Sequence, residues 1–443
     1  MSAYREFPSK LTRGFSSNSI FRSVSRAKSP PSIREENRNL NYDPRKYYPA
    51  RIGETISNRY RITSKLGWGA NLTVWLAKDT TRWMWQPTRY ITLQITNHGK
   101  KEQLSAQEEV EMSRYISHLQ SSNKGRAYVR LVKESFGIRG ALGEHLCLVF
   151  DPLREPLWLL GKILRSNGIP PAVLKPFLRF LLQGLDFLHS QCHIIHTDLK
   201  ADNFLLGFED SNVLEDYVRQ QESDPAPFEA SDGRPVFQSR PNFGHLRKGM
   251  GMIQISDFSA AVFGNVSEPH NHDIQPQPFC APEVLLRATW TYSADIWNLG
   301  TMLWELLAGD VLFNGLDRAE HMAQLIKLLG PPPVQLLNRA DKGICSELFS
   351  TRGEFKFSGL IPSEEFTLSN LTPFLHGEDK RLSSNLLSFR LPCPLAENVL
   401  RSATVSLLQF VIWSRLLKII PRLNRLGASG FNWMSRPSRR KNK

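Results

Sequence analysis

One short run of residues has the types and the spacing that chemistry needs: His196-Thr197-Asp198-Leu199-Lys200-Ala201-Asp202-Asn203. Asp198 supplies a carboxylate, Lys200 an ammonium two residues later, and Asn203 an amide oxygen five residues after Asp198. Apolar residues flank the run on both sides and predict a loop braced by two apolar segments. Such groups can orient a hydroxyl, neutralise a transferring phosphoryl group and ligate a divalent cation.

Two further features could take part in the same chemistry. Asp257 follows the strand-like residues 252–255 and offers a second hard oxygen ligand of the type that Mg²⁺ prefers. Residues 60–79 predict two β-strands joined by a glycine turn, in which Gly67 and Gly69 let backbone N–H groups approach an anion. By itself such a glycine pair is also typical of an ordinary hairpin turn.

The elements around these residues predict a small sheet followed by helices. Further strands are predicted over residues 89–96, 128–135 and 145–150, with a polar helix near 105–117. The loop before residue 89 carries Trp83 and Trp85, which we expect to pack at the hairpin tip. An apolar stripe with helical spacing over residues 173–189 predicts an amphipathic helix and the start of a helix-rich part.

Composition limits the alternatives. With 443 residues, 41% hydrophobic and 22% charged, the chain can bury a large core. The five cysteines form no C-x-x-C pair, so neither a structural metal nor a disulfide framework is predicted. The net charge of +14 lies at the ends, since residues 380–443 carry +12 and residues 1–33 carry +5. A basic binding face on the central part is therefore not supported.

In their order along the chain, the motifs resemble those of a eukaryotic protein kinase. They are the glycine loop, H-x-D-x-K-x-x-N, D-F-x, Ala281-Pro282-Glu283 and Asp295-x-Trp297-x-x-Gly300. Gly67-Trp68-Gly69 and the run at residues 321–326 are similar to fungal members of the SR-protein kinase family, within the CMGC group. The resemblance covers residues 60–380. It implies an α+β, bilobal protein-kinase fold, with a small antiparallel-sheet N-lobe containing one helix and a larger helical C-lobe.

The resemblance also implies roles for individual residues, with ATP and Mg²⁺ as cofactors. Asp198 would be the base or orienter of the substrate hydroxyl, Lys200 would contact the γ-phosphate, and Asn203 and Asp257 would hold Mg²⁺. Lys200 implies serine or threonine as the acceptor, in protein substrates that could be Arg/Ser-rich splicing factors. Leu66, Val74, Thr92 and Leu205 would sandwich adenine, and the backbone of Asp151 and Leu153 would bond its edge, beside Phe150 as gatekeeper.

The chain departs from the family pattern in strand three, where Gln94 stands at the lysine position. The helix carboxylate that such a lysine pairs with, Glu109, is expected to lose its partner. Loss of an electrostatic clamp on phosphates commonly costs about 10²–10³ in rate. Two hypotheses stay open: an active serine/threonine kinase, and a pseudokinase that serves as a scaffold or binding module.

The far end of the chain departs too, because no D-P-x-x-R turn follows residue 380, and Glu283 is expected to lack its arginine partner. The C-lobe end is therefore atypical, either by divergence or by a shifted exon boundary in the gene model. Residues 405–420 predict a buried or interfacial amphipathic helix, and no transmembrane segment is expected.

Four segments are predicted. They are a disordered basic Ser/Arg-rich segment (1–50), a kinase N-lobe (51–153), a C-lobe (154–380) with an insert at about 208–251, and a basic atypical segment (381–443). The insert is predicted to be disordered around residues 214–251. Cytoplasm or nucleus is the expected location, with mitochondrial import through the N-terminal segment as an alternative. The basic ends leave contact with nucleic acid or an acidic membrane open.

Overall fold

The computed structural model describes residues 35–39, 42–164, 168–231, 233–247, 251–363, 366 and 371. The chain forms two compact units. The first holds the described residues within 1–165, 180–196 and 201–263, and the second holds those within 166–179, 197–200 and 264–443. The lobe boundary predicted after residue 153 stays a prediction.

A six-stranded antiparallel sheet forms the centre of the first unit. Its strands are β1 (Thr55–Ile56), β2 (Tyr60–Gly69), β3 (Leu72–Asp79), β4 (Tyr90–Thr96), β5 (Glu134–Arg139) and β6 (Glu144–Phe150), in the order β1-β2-β3-β4-β6-β5. Residues of one strand alternate between two faces, so each face buries its own core. On one face Leu148 and Phe150 pack with Ala106 of α1 (Lys100–His118). On the other face Trp75, Leu93 and Val149 form the larger core.

Short elements of the first unit follow the sheet in the chain. They are α2 (Leu157–Ile163), β7 (Ile194–Ile195), β8 (Phe204–Leu206), α4 (Ser211–Ser223), β9 (Phe228–Ser231), β10 (Arg234–Phe237), β11 (Ile253–Ile255) and β12 (Val262–Phe263). The strands form three antiparallel pairs, β7 with β12, β8 with β11, and β9 with β10. The helix α3 (Pro171–Asp186), followed by a π-helical turn over Phe187–Gln191, confirms the amphipathic helix predicted there.

The described part of the second unit is mainly helical. It contains α5 (Pro282–Leu285), α6 (Ser293–Ala308), α7 (Arg318–Leu329), α8 (Val334–Arg339) and α9 (Lys342–Leu348). A glycine ends α6, because Gly309 takes the left-handed conformation with φ 76° that this position requires. The Asp317 side chain begins α7 by accepting a hydrogen bond from the backbone N–H of Glu320.

One predicted strand is wrong, and one turn is misplaced. Residues 128–135 form only the start of β5, preceded by a 3₁₀-helix over Lys124–Tyr128. Between the two, Val129 bridges Ile255, and the Arg130 N–H donates to the Ile255 carbonyl at 2.8 Å. The start of this stretch is therefore bonded to β11, and the sheet is first reached at Lys133, whose N–H donates to the Val149 carbonyl of β6 at 2.8 Å. The strand turn lies at residues 70–71, and the glycines themselves belong to β2.

The prediction of a disordered insert is also wrong for the described residues. The helix α4 lays Val213, Tyr217 and Val218 against Leu76 of β3 and Phe243. These three residues recur at helical spacing, a signal that the acidic, proline-containing composition of the segment obscures. The hairpin of β9 and β10 adds Phe237 to the larger core of the sheet.

Two predictions about terminal and loop residues need similar correction. Disorder over residues 1–50 is wrong for residues 35–39 and 42–50, since Glu36, Tyr47 and Ala50 are buried. Trp83 and Trp85 do not pack at the hairpin tip, because 69% and 78% of their surfaces are exposed.

The remaining terminal predictions fall on residues that lie outside the described ranges, namely 1–34 and 372–443. These include the helix predicted over 405–420 and both basic ends. Within the described ranges, no helix has the length and the apolar character that crossing a membrane requires.

The folded insert gives a stability prediction. Tyr217 is 3% exposed, and its hydroxyl lies 3.0 Å from Ser64 Oγ and donates to the Arg240 carbonyl at 2.7 Å. We expect Tyr217→Ala to lower the free energy of unfolding by about 3 kcal/mol, because it removes a buried ring and leaves a cavity. Tyr217→Phe should cost about 1 kcal/mol. Urea unfolding measures these changes, and Glu222→Gln, an exposed change on the same helix, is the control. Tyr217 variants as stable as wild type and the control would contradict a folded insert.

Candidate nucleotide and phosphoryl-transfer site

The strand register places the predicted nucleotide residues on one face of the sheet. Val74 pairs with Gln94 and with Gly67, and Gln94 pairs with Leu148. Thr92 pairs with Phe150. Residues that pair across antiparallel strands share a face, so these side chains lie on the face that also contacts α1. The first unit thus brings together the strand residues that the family resemblance assigned to adenine and phosphate.

The glycine positions leave room at this face. A Cβ built on Gly67 would meet no atom within 4 Å, and one on Gly69 would meet only the Leu72 side chain, at 3.5 Å. The backbone at Gly67 is therefore open to a close approach by an anion, as the phosphates of ATP require.

Behind the predicted gatekeeper lies a buried arginine that the sequence did not single out. The Arg130 guanidinium lies 4.4 Å from the centre of the Phe150 ring, and its Nη2 donates to the Asp151 carbonyl at 3.1 Å. A carbonyl has two lone pairs, so Asp151 retains one for the edge of adenine. Burial lowers the pKa of Arg130 to about 10, which leaves it charged at neutral pH. Leu153 follows this segment, and Leu205 lies on β8.

The two predicted metal ligands are linked through Ser256. Its backbone N–H and its hydroxyl both donate to the carbonyl of Asn203, at 2.8 and 3.1 Å, and its own carbonyl lies 3.0 Å from His196 Nε2. Pairing of β8 with β11 brings the two loops together. His196 thus braces the loop, as predicted.

Asp257 is oriented by its own turn. It has φ 68°, and its Oδ1 accepts hydrogen bonds from the hydroxyl and the N–H of Ser259, at 2.6 and 3.3 Å. Among the described residues none donates to Oδ2, so this oxygen can serve a cation. Carboxylate and amide oxygens are ligands that suit Mg²⁺, and Asn203 and Asp257 fit that ion.

Gln94 stands on β4, the third strand of the family pattern, where the family has a lysine, and this difference has an electrostatic consequence. Within the described part of the chain, no residue hydrogen-bonds with the Gln94 side chain, and Glu109 has no salt bridge. Burial, with the nearby charge of Asp257, raises the pKa of Glu109 to about 8, against the lowering effects of the Phe258 N–H and of Arg130. Glu109 is therefore protonated at neutral pH. A neutral carboxyl facing a strand with a neutral amide replaces the ion pair of the family pattern.

The second unit holds Asp198 and Lys200, which contact each other directly. Lys200 Nζ donates to Asp198 Oδ2 at 2.5 Å. The backbone of this short run is fixed by α6, because Asp295 accepts from the Thr197 N–H at 2.7 Å and Asn298 accepts from the Leu199 N–H at 2.8 Å. Both acceptors are fully buried. Asp295 and Asn298 are thus scaffold residues, and of the two only Asp295 belongs to a motif that the sequence analysis identified.

As expected, no arginine among the described residues forms a salt bridge with Glu283, but its carboxyl has a hydrogen-bond partner. Its Oε1 accepts a hydrogen bond from Ser293 Oγ at 3.1 Å, while Oε2 has no donor among the described residues. Burial raises the pKa of Glu283, although the Ser293 hydroxyl and the charge of Arg339 act in the opposite direction.

Comparison with known proteins is consistent with this geometry. Residues 60–334 match the protein kinase domain family. A serine/threonine protein kinase of Aspergillus fumigatus is 32% identical over 79% of this chain and 83% of its own length. The serine/threonine-protein kinase SRPK of Physarum polycephalum is 31% identical, over 70% and 76%, and mouse SRSF protein kinase 3 is 24% identical, over 70% and 79%.

A solved structure supports the fold. The crystal structure of the kinase domain of PF14_0431 superposes with a TM-score of 0.57 and 23% identity, covering 78% of this chain and 94% of that domain. The predicted protein-kinase fold, with an antiparallel-sheet part and a helical part, is confirmed.

The raised pKa of Glu109 gives a prediction for stability against pH. The folded state holds this proton up to about pH 8, whereas the unfolded state loses it near pH 4.5. The contribution of Glu109 to stability is therefore complete below pH 4.5 and falls by about 1.4 kcal/mol per pH unit up to pH 8. The free energy of unfolding of Glu109→Gln, measured by chemical denaturation relative to wild type, should therefore rise by about 2 kcal/mol between pH 6 and pH 7.5. Glu111→Gln on the same helix is the control, and a constant difference for Glu109→Gln would contradict the assignment.

Proposed function

We propose, from the premise that this chain belongs to the protein kinase family, that it phosphorylates serine in Arg/Ser-rich proteins. It is a serine/threonine protein kinase, and its relatives include kinases of the SRPK family. The name of one relative, SRSF protein kinase 3, designates a kinase of SRSF proteins. The observation that carries the proposal is the fixed run at residues 197–200, in which two buried α6 side chains hold the backbone on either side of Asp198.

The chemistry follows from the residues in this arrangement. The Asp198 carboxylate orients the substrate hydroxyl and accepts its proton as the oxygen attacks the γ-phosphorus. The bond to the leaving oxygen of ADP breaks in the same step. Lys200 places positive charge on the transferring group while it holds Asp198 in position. Mg²⁺ bound to Asn203 and Asp257 would supply further neutralisation of the phosphates.

Gln94 lowers the efficiency expected of this site. A neutral amide gives hydrogen bonds about half as strong as those of an ammonium, and it adds no charge at the phosphates. The glycine-strand N–H groups and the bound cation then contribute the greater part of phosphate binding in the first unit. We infer weak ATP affinity together with a preserved transfer step.

One observation favours a second candidate, a pseudokinase scaffold. The Gln94 side chain forms no hydrogen bond with any described residue, and Glu109 is neutral at pH 7, so the ion pair that accompanies active kinases is missing. A scaffold would retain the fold and the substrate-binding surface without useful turnover.

An assay with labelled ATP and Mg²⁺ separates the two candidates. We expect wild type to label an Arg/Ser peptide in preference to a Lys/Ser peptide of equal charge, because a guanidinium forms bidentate bonds that an ammonium cannot. Asp198→Asn should reduce labelling by about 10²–10⁴. Gln94→Lys should raise kcat/KM by about 10².

The outcomes divide the hypotheses cleanly. Labelling by wild type that Asp198→Asn abolishes supports the enzyme. Silence in wild type with recovery in Gln94→Lys supports the scaffold. Equal labelling of the Arg/Ser and Lys/Ser peptides would contradict the proposed substrate class while leaving the kinase activity intact.

A further inference from the structure

Lys65 lies on β2, two residues before Gly67, on the face of the sheet opposite to the nucleotide residues. It pairs with Trp75, whose side chain belongs to the larger core with Phe237 of β10. Its side chain is completely buried, whereas lysine side chains are mostly exposed. Because it faces away from Val74 and Gln94, Lys65 cannot replace the missing strand-three lysine. Its charge must serve another purpose.

All three ammonium hydrogens of Lys65 have acceptors. Nζ donates to Glu35 Oε2 at 3.0 Å, to the Phe237 carbonyl at 3.0 Å, and to the carboxylate of Glu36. The two glutamates lie in the segment before the sheet, and Phe237 lies in the insert. A single side chain of β2 therefore joins three parts of the chain that are far apart in sequence.

A second cation completes the group. Arg234 of β10 donates to Glu36 Oε1 at 2.7 Å and to the Tyr42 hydroxyl at 3.2 Å. The N–H and the hydroxyl of Ser239 both donate to Glu35, at 2.7 Å each. We call Glu35, Glu36, Lys65 and Arg234 the four-charge cluster. Each of its members is at most 4% exposed, and two positive charges balance two negative charges.

We propose that the four-charge cluster is a positioning site for nucleotide binding, through which the N-terminal segment and the insert hold the glycine-rich end of β2 in place. The strand is irregular on both sides of Lys65, with register shifts between Ile62 and Ser64 and between Lys65 and Gly67. Such bulges re-aim side chains and interrupt pairing, so the sheet alone fixes this stretch poorly.

The insert supplies the missing restraint to β2. The Arg240 N–H donates to the Lys65 carbonyl at 2.9 Å, and Ser64 Oγ lies 3.0 Å from the Tyr217 hydroxyl. With the four-charge cluster, both the backbone and the side chain of Lys65 are held from outside the sheet. Leu66 and Gly67 follow directly, so their position depends on these contacts.

The four-charge cluster is neutral only while all four of its residues are present. Burial raises the pKa of Glu36, but Lys65 and Arg234 more than compensate and keep it below its usual value, so the carboxylate stays ionised. Removing one charge from a buried ionic group leaves another uncompensated, which is far more harmful than removing a neutral pair. The residues before the matched kinase domain therefore belong to the nucleotide-binding unit.

The test uses the full-length protein with four variants. Lys65→Met leaves one excess buried negative charge, and Lys65→Met/Glu35→Gln restores neutrality while Glu36 and Arg234 stay paired. Glu35→Gln alone leaves one excess positive charge but keeps the shape of the side chain and an oxygen that accepts hydrogen bonds, and Glu222→Gln is an exposed control on α4. The measurements are hydrogen exchange of the amides at residues 66–69, the dissociation constant of a fluorescent ATP analogue, and the melting temperature.

We expect Lys65→Met to speed exchange at residues 66–69 by about tenfold or more, to weaken the ATP analogue by about tenfold, and to lower the melting temperature by about 5 °C. The neutral double variant should recover a large part of each loss, and the control should match wild type. Glu35→Gln should show the same changes in smaller measure.

Two results would overturn the proposal. One is a lower melting temperature in Lys65→Met and Glu35→Gln with unchanged exchange at 66–69 and unchanged affinity, since the cluster would then be structural only. The other is a double variant no better than Lys65→Met alone. The affinity measurement rests on the proposed function, whereas the exchange measurement does not. A wild type that binds no nucleotide but shows the exchange pattern would therefore refute only the proposed function.

Discussion

The alternation of side chains between the two faces of one antiparallel sheet is the constraint on which the first unit depends. Val74, Thr92 and Gln94 share the face that packs with α1, and Trp75, Leu93 and Lys65 share the other. A sheet this apolar on both faces needs a cover on each. The helix α1 and, at Leu76, the insert helix α4 contribute to one cover. The N-terminal segment and the β9–β10 hairpin of the insert contribute to the other. The nucleotide face is thus defined in part by what occupies the opposite face.

Electrostatics in this unit follow the same division. On the face opposite to the nucleotide residues, the four-charge cluster is buried. It is tolerated because each charge has a partner of opposite sign within hydrogen-bonding distance. On the nucleotide face the cation of strand three is absent, and the carboxyl that would have paired with it keeps its proton instead. Burial of charge is thus balanced on one face by pairing and on the other by neutralisation.

Most of the fold and the site could be predicted because their signals are local. The strands around Gly67, Thr92 and Leu148 follow from alternating apolar residues, and the motif at 196–203 identified both catalytic candidates. The residue types and the resemblance together indicated the metal ligands Asn203 and Asp257. In the structure, the pairing of β8 with β11 and the hydrogen bonds of Ser256 bring the two loops together. None of these inferences needed contacts between distant parts of the chain.

The failures share a physical cause, which is that a partner far away in sequence changes what a residue does. The local sequence gives no sign that Lys65 is buried, because its acceptors lie 29 and 30 residues before it and 172 residues after it. Tyr217 was assigned to disorder because composition averages over a segment and hides three apolar residues on one helical face.

The loss of one lysine therefore does not act on an isolated position. With Gln94 neutral, an ionised Glu109 would be a buried charge without a salt-bridge partner, and protonation removes that cost at neutral pH. The protein can then keep α1 packed against the sheet through Ala106, Leu148 and Phe150, without the ion pair. Apolar contact replaces ionic contact as the connection between this helix and the nucleotide face. The fold thus tolerates a neutral residue at position 94, and under the proposed function the consequence is weaker phosphate binding.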